Sequence, residues 1–126
     1  MSEIVQISLR GSRRGFFLNS RNLWLKLRDP VIVQTEPGET MGRVFLKGML
    51  VELKRPGNVT HEIIRKATEE DLDQDDHNRQ REGEAFEYCR DRIEFRELKM
   101  DLSEVEATFS GHRLTFYFSA EHRVDF

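Results

Sequence analysis

The 126-residue sequence contains little cysteine and no long apolar segment. Its single cysteine, Cys89, cannot form a disulfide or a thiolate metal cluster within one chain. No apolar run approaches the roughly 18 residues of a membrane-spanning helix. The N-terminal segment also lacks the basic start and apolar stretch of a signal peptide. These absences predict a cytoplasmic protein that does not insert into membranes.

Motifs of nucleophilic catalysis and of phosphate binding are also missing. The sequence has no G-x-S-x-G, P-loop or G-x-G-x-x-G pattern. No two histidines have the i, i+4 spacing of a helical zinc site. The acidic run at residues 73–77 lacks the glycine and closing glutamate of a calcium-binding loop, which favours a solvated face. We therefore expect neither enzymatic activity nor a metal site.

The charge of the chain is unevenly distributed. The formal net charge is −3, but residues 1–28 contain six basic residues and one acidic residue. Aromatic side chains lie between these cations, and this combination can track phosphates and stack bases. The candidate nucleic-acid-binding residues are Arg10, Arg13, Arg14, Arg21 and Trp24. The alternatives are a solvated basic surface and, for Trp24 and its neighbours Phe16 and Phe17, packing in the core.

Residues 1–60 predict a β-rich, SH3-like unit. Val5, Ile7 and Leu9 alternate with polar residues, as in a half-buried strand. Further strands are expected within residues 16–18, 23–28 and 31–33, and one long strand over residues 42–53 with a bulge at Gly48. Proline and glycine at residues 35–39 indicate a hairpin turn. Successive short strands are typical of a small antiparallel barrel.

Residues 61–126 predict a helix followed by a β-hairpin. The segment 68–71, T-E-E-D, matches a helix-capping signature. Residues 73–81 are polar and fit either a loop or a frayed helix, and a clear apolar stripe begins only with Phe86, Cys89 and Ile93. Residues 114–118 alternate as a return strand. The predicted fold class is α+β, with the two units packed as one compact domain.

Two aromatic residues lie on the wrong face of this predicted helix. Tyr88 and Phe95 are seven residues apart and oppose the apolar stripe that includes Cys89. They are candidate partner-binding residues, and packing against the hairpin is the alternative. Cys89 itself is interpreted as a small buried hydrophobe rather than a reactive thiol.

Two segments resemble the PSP C-terminal conserved region family. Residues 64–71, I-R-K-A-T-E-E-D, are similar to its I-R-x-A-T-x-x-D element, and residues 114–126 are similar to its L-x-F-Y-F-x-A-x-x-R-V-D-F signature. The chain is thereby identified as a RicT-like (YaaT-like) stage zero sporulation protein homologue, although Glu97 stands where many members have glycine. The family-signature residues are Arg65, Asp71, Met100, Arg123, Asp125 and Phe126.

The resemblance implies a cytoplasmic regulatory adaptor without catalytic activity. RicT-like proteins assemble with two small helical proteins, RicA and RicF, and act with ribonuclease Y in RNA processing and developmental signalling. They also carry a cysteine-rich iron–sulfur segment beyond the R-V-D-F motif. This sequence has only Cys89 and ends at Phe126, so we expect no cofactor, a truncated chain and a homo-oligomer that covers exposed apolar surface. Direct RNA binding by the basic N-terminal section is the alternative function.

Overall fold

The computed structural model describes residues 3–10, 13–36 and 38–120. The architecture is α+β, as predicted: a curled five-stranded antiparallel sheet, one long helix and a two-stranded hairpin. The chain divides into two compact units, and the boundary follows Leu72, inside the long helix. The elements are β1 (Glu3–Ser8), β2 (Arg14–Asn19), β3 (Pro30–Thr35), β4 (Gly38–Leu46), α1 (Met49–Glu52), β5 (Ile63–Lys66), α2 (Glu69–Phe95), β6 (Asp101–Ala107) and β7 (Leu114–Ser119).

The five-stranded sheet curls until its two edge strands meet. The strand order is β2-β1-β4-β3-β5. The backbone N–H of Leu18 in β2 donates to the carbonyl of His61, just before β5, at 2.9 Å. A parallel bridge pairs Leu18 with Glu62. The predicted turn between β3 and β4 is confirmed, because Thr35 pairs with Gly38.

The core of this barrel-like unit consists mainly of aliphatic residues at alternating strand positions, together with the aromatic Phe17 and the loop residue Leu25. Its buried members are Val5, Ile7, Phe17, Leu25, Val31, Val33, Val44 and Ile63. Gly42 permits the close approach of β4 to β1, because a Cβ there would lie 2.4 Å from Ile7 Cγ2 and 2.9 Å from the carbonyl of Ser8. Any side chain at Gly42 would therefore push the two strands apart.

Two expected strands are wrong. Residues 23–28 form a loop, in which Leu25 enters the core while Trp24 and Leu27 are exposed. In a sheet, the carbonyls of this segment would accept hydrogen bonds from a neighbouring strand. Here lysine side chains donate to them instead, as Lys47 does to Leu25 O at 2.5 Å. The proposed long strand at residues 42–53 ends at Leu46, and Gly48, at φ 70°, precedes the short helix α1.

The second unit contains most of α2 and the β6–β7 hairpin. The ambiguous residues 73–81 are helical, so α2 is one continuous helix of 27 residues. The hairpin is antiparallel, with Asp101 opposite Ser119 and Ala107 opposite Leu114. The buried apolar residues of the second unit, among those that the structure describes, are Ile93, Met100 and Val105. Cys89 is half-buried.

Glu97 ends α2 with a conformation that favours glycine. Its φ is 52°, in the left-handed region. The N–H of Glu97 donates to Glu94 O at 3.1 Å, and the N–H of Leu98 donates to Ile93 O at 3.1 Å. This pair of bonds is the Schellman motif, whose left-handed position is usually glycine.

Candidate functional site

An exposed tryptophan surrounded by cations lies beside the end of β5. Trp24 is 72 % exposed, and Lys26 Nζ is 5.3 Å from the centroid of its ring. Lys66 Nζ donates to Trp24 O at 3.0 Å, and Arg21 Nη1 donates to Ile64 O at 2.5 Å. We call this region the Trp24 surface, and its residues are Arg21, Trp24, Lys26 and Lys66.

A single carboxylate organises the loop under the Trp24 surface. Asp29 Oδ2 accepts the backbone N–H of Lys26 at 2.9 Å and lies 3.5 Å from Lys66 Nζ. The backbone hydrogen bond from Lys26 is the main cause of the lowered pKa of Asp29, and the charges of Lys66 and Lys26 add to it. Arg43 Nη1 donates to Arg28 O at 3.1 Å. The loop is therefore held by several polar contacts.

The other three arginines predicted to bind nucleic acid lie around the β1–β2 turn. Arg13 Nε donates to Arg10 O at 3.2 Å. The guanidinium carbon of Arg14 is 3.8 Å from the centroid of the Phe45 ring. Arg14 begins β2 and Arg21 follows its end, so the length of the strand, about 20 Å, separates them. The five candidate residues thus occupy two places, and Trp24 is not core.

Helix α1 and its C-terminal capping residue, Leu53, present an apolar face that was not predicted. Met49, Leu50 and Leu53 are 78 %, 57 % and 72 % exposed, whereas Val51 is fully buried. Lys54, which follows Leu53, donates to Gln6 Oε1 at 2.8 Å and so ties this segment to β1. We call Met49, Leu50 and Leu53 the α1 face. The alternation of the strand that was predicted over residues 42–53 breaks at Gly48, and this break is the sequence signal that would have indicated the α1 face.

Tyr88 and Phe95 are both exposed on α2, at 68 % and 82 %. The alternative that they pack against the hairpin is therefore wrong. Their role in partner binding stays a prediction.

The hairpin turn is held by polar side chains of α2. Asn78 is almost fully buried, and its Nδ2 donates to the carbonyls of Thr108 at 3.3 Å and Phe109 at 2.9 Å. Gln74 Nε2 donates to Asn78 Oδ1 at 3.1 Å and orients the amide. Polar residues within 73–81 thus extend towards the N-terminus the helix face whose apolar stripe begins at Phe86.

Two further contacts complete this anchor. Glu82 Oε2 accepts the N–H of Ala107 at 2.7 Å, and Arg81 Nη1 donates to Gly111 O at 2.7 Å. A Cβ on Gly111 would lie 2.9 Å from Arg81 Nη1, and the residue has φ 78°. We call Gln74, Asn78, Arg81 and Glu82 the polar anchor, and its contacts with the hairpin indicate a structural role.

Within residues 3–10, 13–36 and 38–120, no group of three or more His, Cys, Asp or Glu side chains could hold a metal ion. In the same part of the chain, no helix is long and apolar enough to cross a membrane.

Comparison with protein families identifies the C-terminal half. A family model described as the PSP1 C-terminal conserved region matches residues 61–126, just over half of the chain. The chain belongs to this family. The match includes β5, α2 and the hairpin, whereas the α1 face and most of the Trp24 surface precede it.

Two curated relatives of this family member match a large part of the chain. Stage 0 sporulation protein YaaT of Bacillus subtilis (strain 168) is 27 % identical over 126 residues, which are all of this chain and 46 % of YaaT. An uncharacterized protein of Schizosaccharomyces pombe is 25 % identical over 131 residues, covering 82 % of this chain and 18 % of that protein. The chain thus spans less than half the length of either relative. No solved structure matches it.

The first PSP1 signature element forms a clasp at the start of α2. The Arg65 guanidinium contacts both carboxylate oxygens of Asp71, with Nη2 donating to Oδ1 at 3.0 Å. Asp71 Oδ2 also accepts the N–H of Thr68 at 2.8 Å, and Thr68 Oγ1 accepts the N–H of Asp71 at 3.2 Å. These reciprocal bonds confirm the predicted helix cap. We call Arg65, Thr68 and Asp71 the clasp.

The clasp controls the titration of its carboxylate. Hydrogen bonding from Arg65 is the main cause that lowers the pKa of Asp71 to about 2, and bonds from Thr68 lower it further. The same pair raises the pKa of Arg65. Met100, another signature residue, is buried. Arg123, Asp125 and Phe126 lie outside the described residues.

Proposed function

We propose that the chain is a non-enzymatic regulatory adaptor that assembles with partner proteins. Membership of the PSP1 family and similarity to a stage 0 sporulation protein support a regulatory role. The observation that carries the adaptor proposal is the α1 face, where three large apolar side chains are more than half exposed. Contiguous exposed apolar residues are characteristic of protein interaction sites.

The proposed partners are small helical proteins of the RicA and RicF type, acting in the cytoplasm with ribonuclease Y in RNA processing. The α1 face supports such an occupant because Met49, Leu50 and Leu53 offer the apolar strip on which an amphipathic helix packs. Lys54 and Arg55 follow Leu53 in the sequence, so acidic residues at the rim of the partner would complement them.

Co-expression with the RicA-like and RicF-like proteins of the same organism tests the adaptor proposal. We expect a complex in size-exclusion chromatography that persists in high salt, because its main contacts are apolar. Leu53→Glu should abolish the complex without altering the circular dichroism spectrum. Leu27→Glu is the matched control, because it places the same charge on an exposed leucine outside α1. Failure to assemble, or equal loss in both variants, would refute the proposal.

Light scattering of the isolated chain, in the same experiment, tests the expected homo-oligomer. A dimer that Leu53→Glu converts to a monomer would show that a second copy also covers the α1 face. A monomeric wild type would contradict self-association.

The second candidate function is direct RNA binding. The specific observation that favours it is the exposure of Trp24 among fixed cations.

A further inference from the structure

We infer that the Trp24 surface binds single-stranded RNA without base-sequence preference, stacking a base on the Trp24 ring and holding phosphates with its cations. This inference develops the second candidate function and does not depend on docking at the α1 face. It also differs from the sequence-based hypothesis, which included the arginines of the β1–β2 turn.

The exposed indole is suited to base stacking. Trp24 is 72 % exposed, although burying an indole would contribute substantially to stability. Its backbone is fixed by Lys66, which bonds its carbonyl at 3.0 Å. An accessible aromatic ring accepts any base, because every base has a π-face.

The cations beside the ring retain donors for phosphate. Lys66 Nζ has three N–H donors, and the structure gives it two oxygen neighbours, Trp24 O at 3.0 Å and Asp29 Oδ2 at 3.5 Å. Arg21 donates one of its five N–H groups to Ile64 O. Contacts within the protein therefore orient both groups and leave donors that can face a ligand.

The make-up of the surface indicates phosphate contact and stacking rather than base reading. Its polar residues are all Lys or Arg, and Asp29, the carboxylate beside Lys66, is already bonded to the loop. Phosphate contacts by such cations position a strand without reading its sequence. Lys26 over the ring and Lys66 at the Trp24 carbonyl complement a polyanion with bases better than an apolar protein face does, which favours nucleic acid over protein.

Binding can be observed through the ring itself, because Trp24 is the only tryptophan in the chain. Titration with an oligouridylate of roughly a dozen nucleotides, a length within the range that small single-strand-binding folds cover, should quench its fluorescence. By polarisation of a labelled oligonucleotide, Trp24→Ala should weaken binding about 5- to 150-fold, and Trp24→Phe should restore most of the affinity. Leu27→Ala removes an exposed apolar side chain from the same loop, one that cannot stack on a base, and should change nothing.

The cations are tested by salt dependence. Lys26→Gln and Lys66→Gln should each reduce the slope of log K against log salt by roughly 0.7. Lys99→Gln, an exposed charge in the other unit, should leave the slope unchanged. Polyglutamate should compete weakly, because it offers charge without bases.

The outcomes separate the surface from the function. If the wild type binds RNA and Trp24→Ala binds it with the same affinity, the Trp24 surface is refuted but RNA binding by the chain is not. Wild type that does not bind at low salt would overturn both. Polyglutamate that competes as well as RNA at equal charge would also overturn the inference and indicate an acidic protein ligand.

Discussion

The two units of this chain are stabilised in different ways. The barrel-like unit contains ten of the buried apolar residues among the described positions, and the helix–hairpin unit contains three. The helix–hairpin unit instead has the polar anchor, with four hydrogen bonds between the side chains of Asn78, Arg81 and Glu82 and the hairpin backbone. The charges also differ: residues 1–72 include twelve basic and nine acidic residues, and residues 73–126 include eight and fourteen.

This difference teaches where function is to be sought. In the barrel-like unit the core is apolar, so polar and aromatic residues on the surface are available for ligands. In the helix–hairpin unit several conspicuous polar side chains are already used to hold a turn. A polar residue on α2 therefore needs stronger evidence of function than one on the Trp24 surface.

The largest expected effect comes from the barrel core. Leu25 is 2 % exposed and Leu27 is 56 % exposed, although both follow the same alternating pattern. Leu25→Ala should lower the free energy of unfolding by about 2–5 kcal/mol, because it leaves a cavity. Leu27→Ala should lower it by less than about 0.5 kcal/mol. Urea denaturation of both variants measures the difference, and equal losses would contradict the placement of this loop.

In the polar anchor, replacing a polar side chain with a hydrophobic one should also lower stability. Asn78→Leu removes the donor to Thr108 O and Phe109 O and should cost about 1–3 kcal/mol, because partly buried carbonyls lose their partner. Hydrogen exchange of the hairpin amides should accelerate. The control is His77→Leu, because His77 is the neighbouring residue in α2 and is exposed. Stabilisation by Asn78→Leu would show that apolar packing, not hydrogen bonding, holds this unit.

The clasp should make stability depend on pH in a defined window. The folded-state pKa of Asp71, about 2, lies below its usual value of 3.8. Its contribution is therefore complete above about pH 4 and is lost as the pH falls towards 2. Arg65→Met should cost roughly 1–2 kcal/mol at neutral pH, a figure reduced because Arg65 is partly solvated.

Thermal unfolding of wild type and Arg65→Met across this pH range checks the prediction. The difference between the two proteins should shrink between pH 4 and pH 2. Arg79→Met, which removes an exposed i, i+4 pair with Asp75, is the control and should cost at most about 0.5 kcal/mol. A difference that stays constant with pH would contradict the role of the Arg65–Asp71 pair.

The smallest expected effect is a gain. Glu97 adopts φ 52° at the end of α2, so Glu97→Gly should raise stability by about 0.5–1 kcal/mol. Glu94→Gly, inside the helix, should lower it by about as much. Denaturation midpoints of the two variants should move in opposite directions, and a loss of stability in Glu97→Gly would contradict the Schellman motif.

Period-2 alternation made much of the barrel predictable, because Val5 and Ile7 lie on one face of a strand and that face is the core. The alternation pattern was misleading at Leu23, Leu25 and Leu27. These residues alternate like a strand, but they lie in a loop without a strand partner, and Leu25 enters the core. The helix cap was predictable because Thr68 and Asp71 satisfy each other locally.

The candidate surfaces were only partly predictable. Trp24 was identified, but its cationic neighbour Lys66 is 42 residues distant in sequence and is brought close by the curling of the sheet. The polar anchor was missed because a hydrophobic stripe identifies only apolar helix faces, and Asn78 and Glu82 are polar. Asn78, Glu82 and Phe86 are each four residues apart, and this spacing could have indicated that they share one face of the helix.

The central claim is that the barrel-like unit carries two separable surfaces, the α1 face for protein and the Trp24 surface for RNA. Co-purification of RNA and partner proteins with the tagged full chain, for wild type, Leu53→Glu and Trp24→Ala, tests it most directly. We predict that Leu53→Glu loses the RicA-like and RicF-like partners but retains RNA, and that Trp24→Ala does the reverse. Loss of both ligands together in either folded variant, or of neither in both, would contradict the claim.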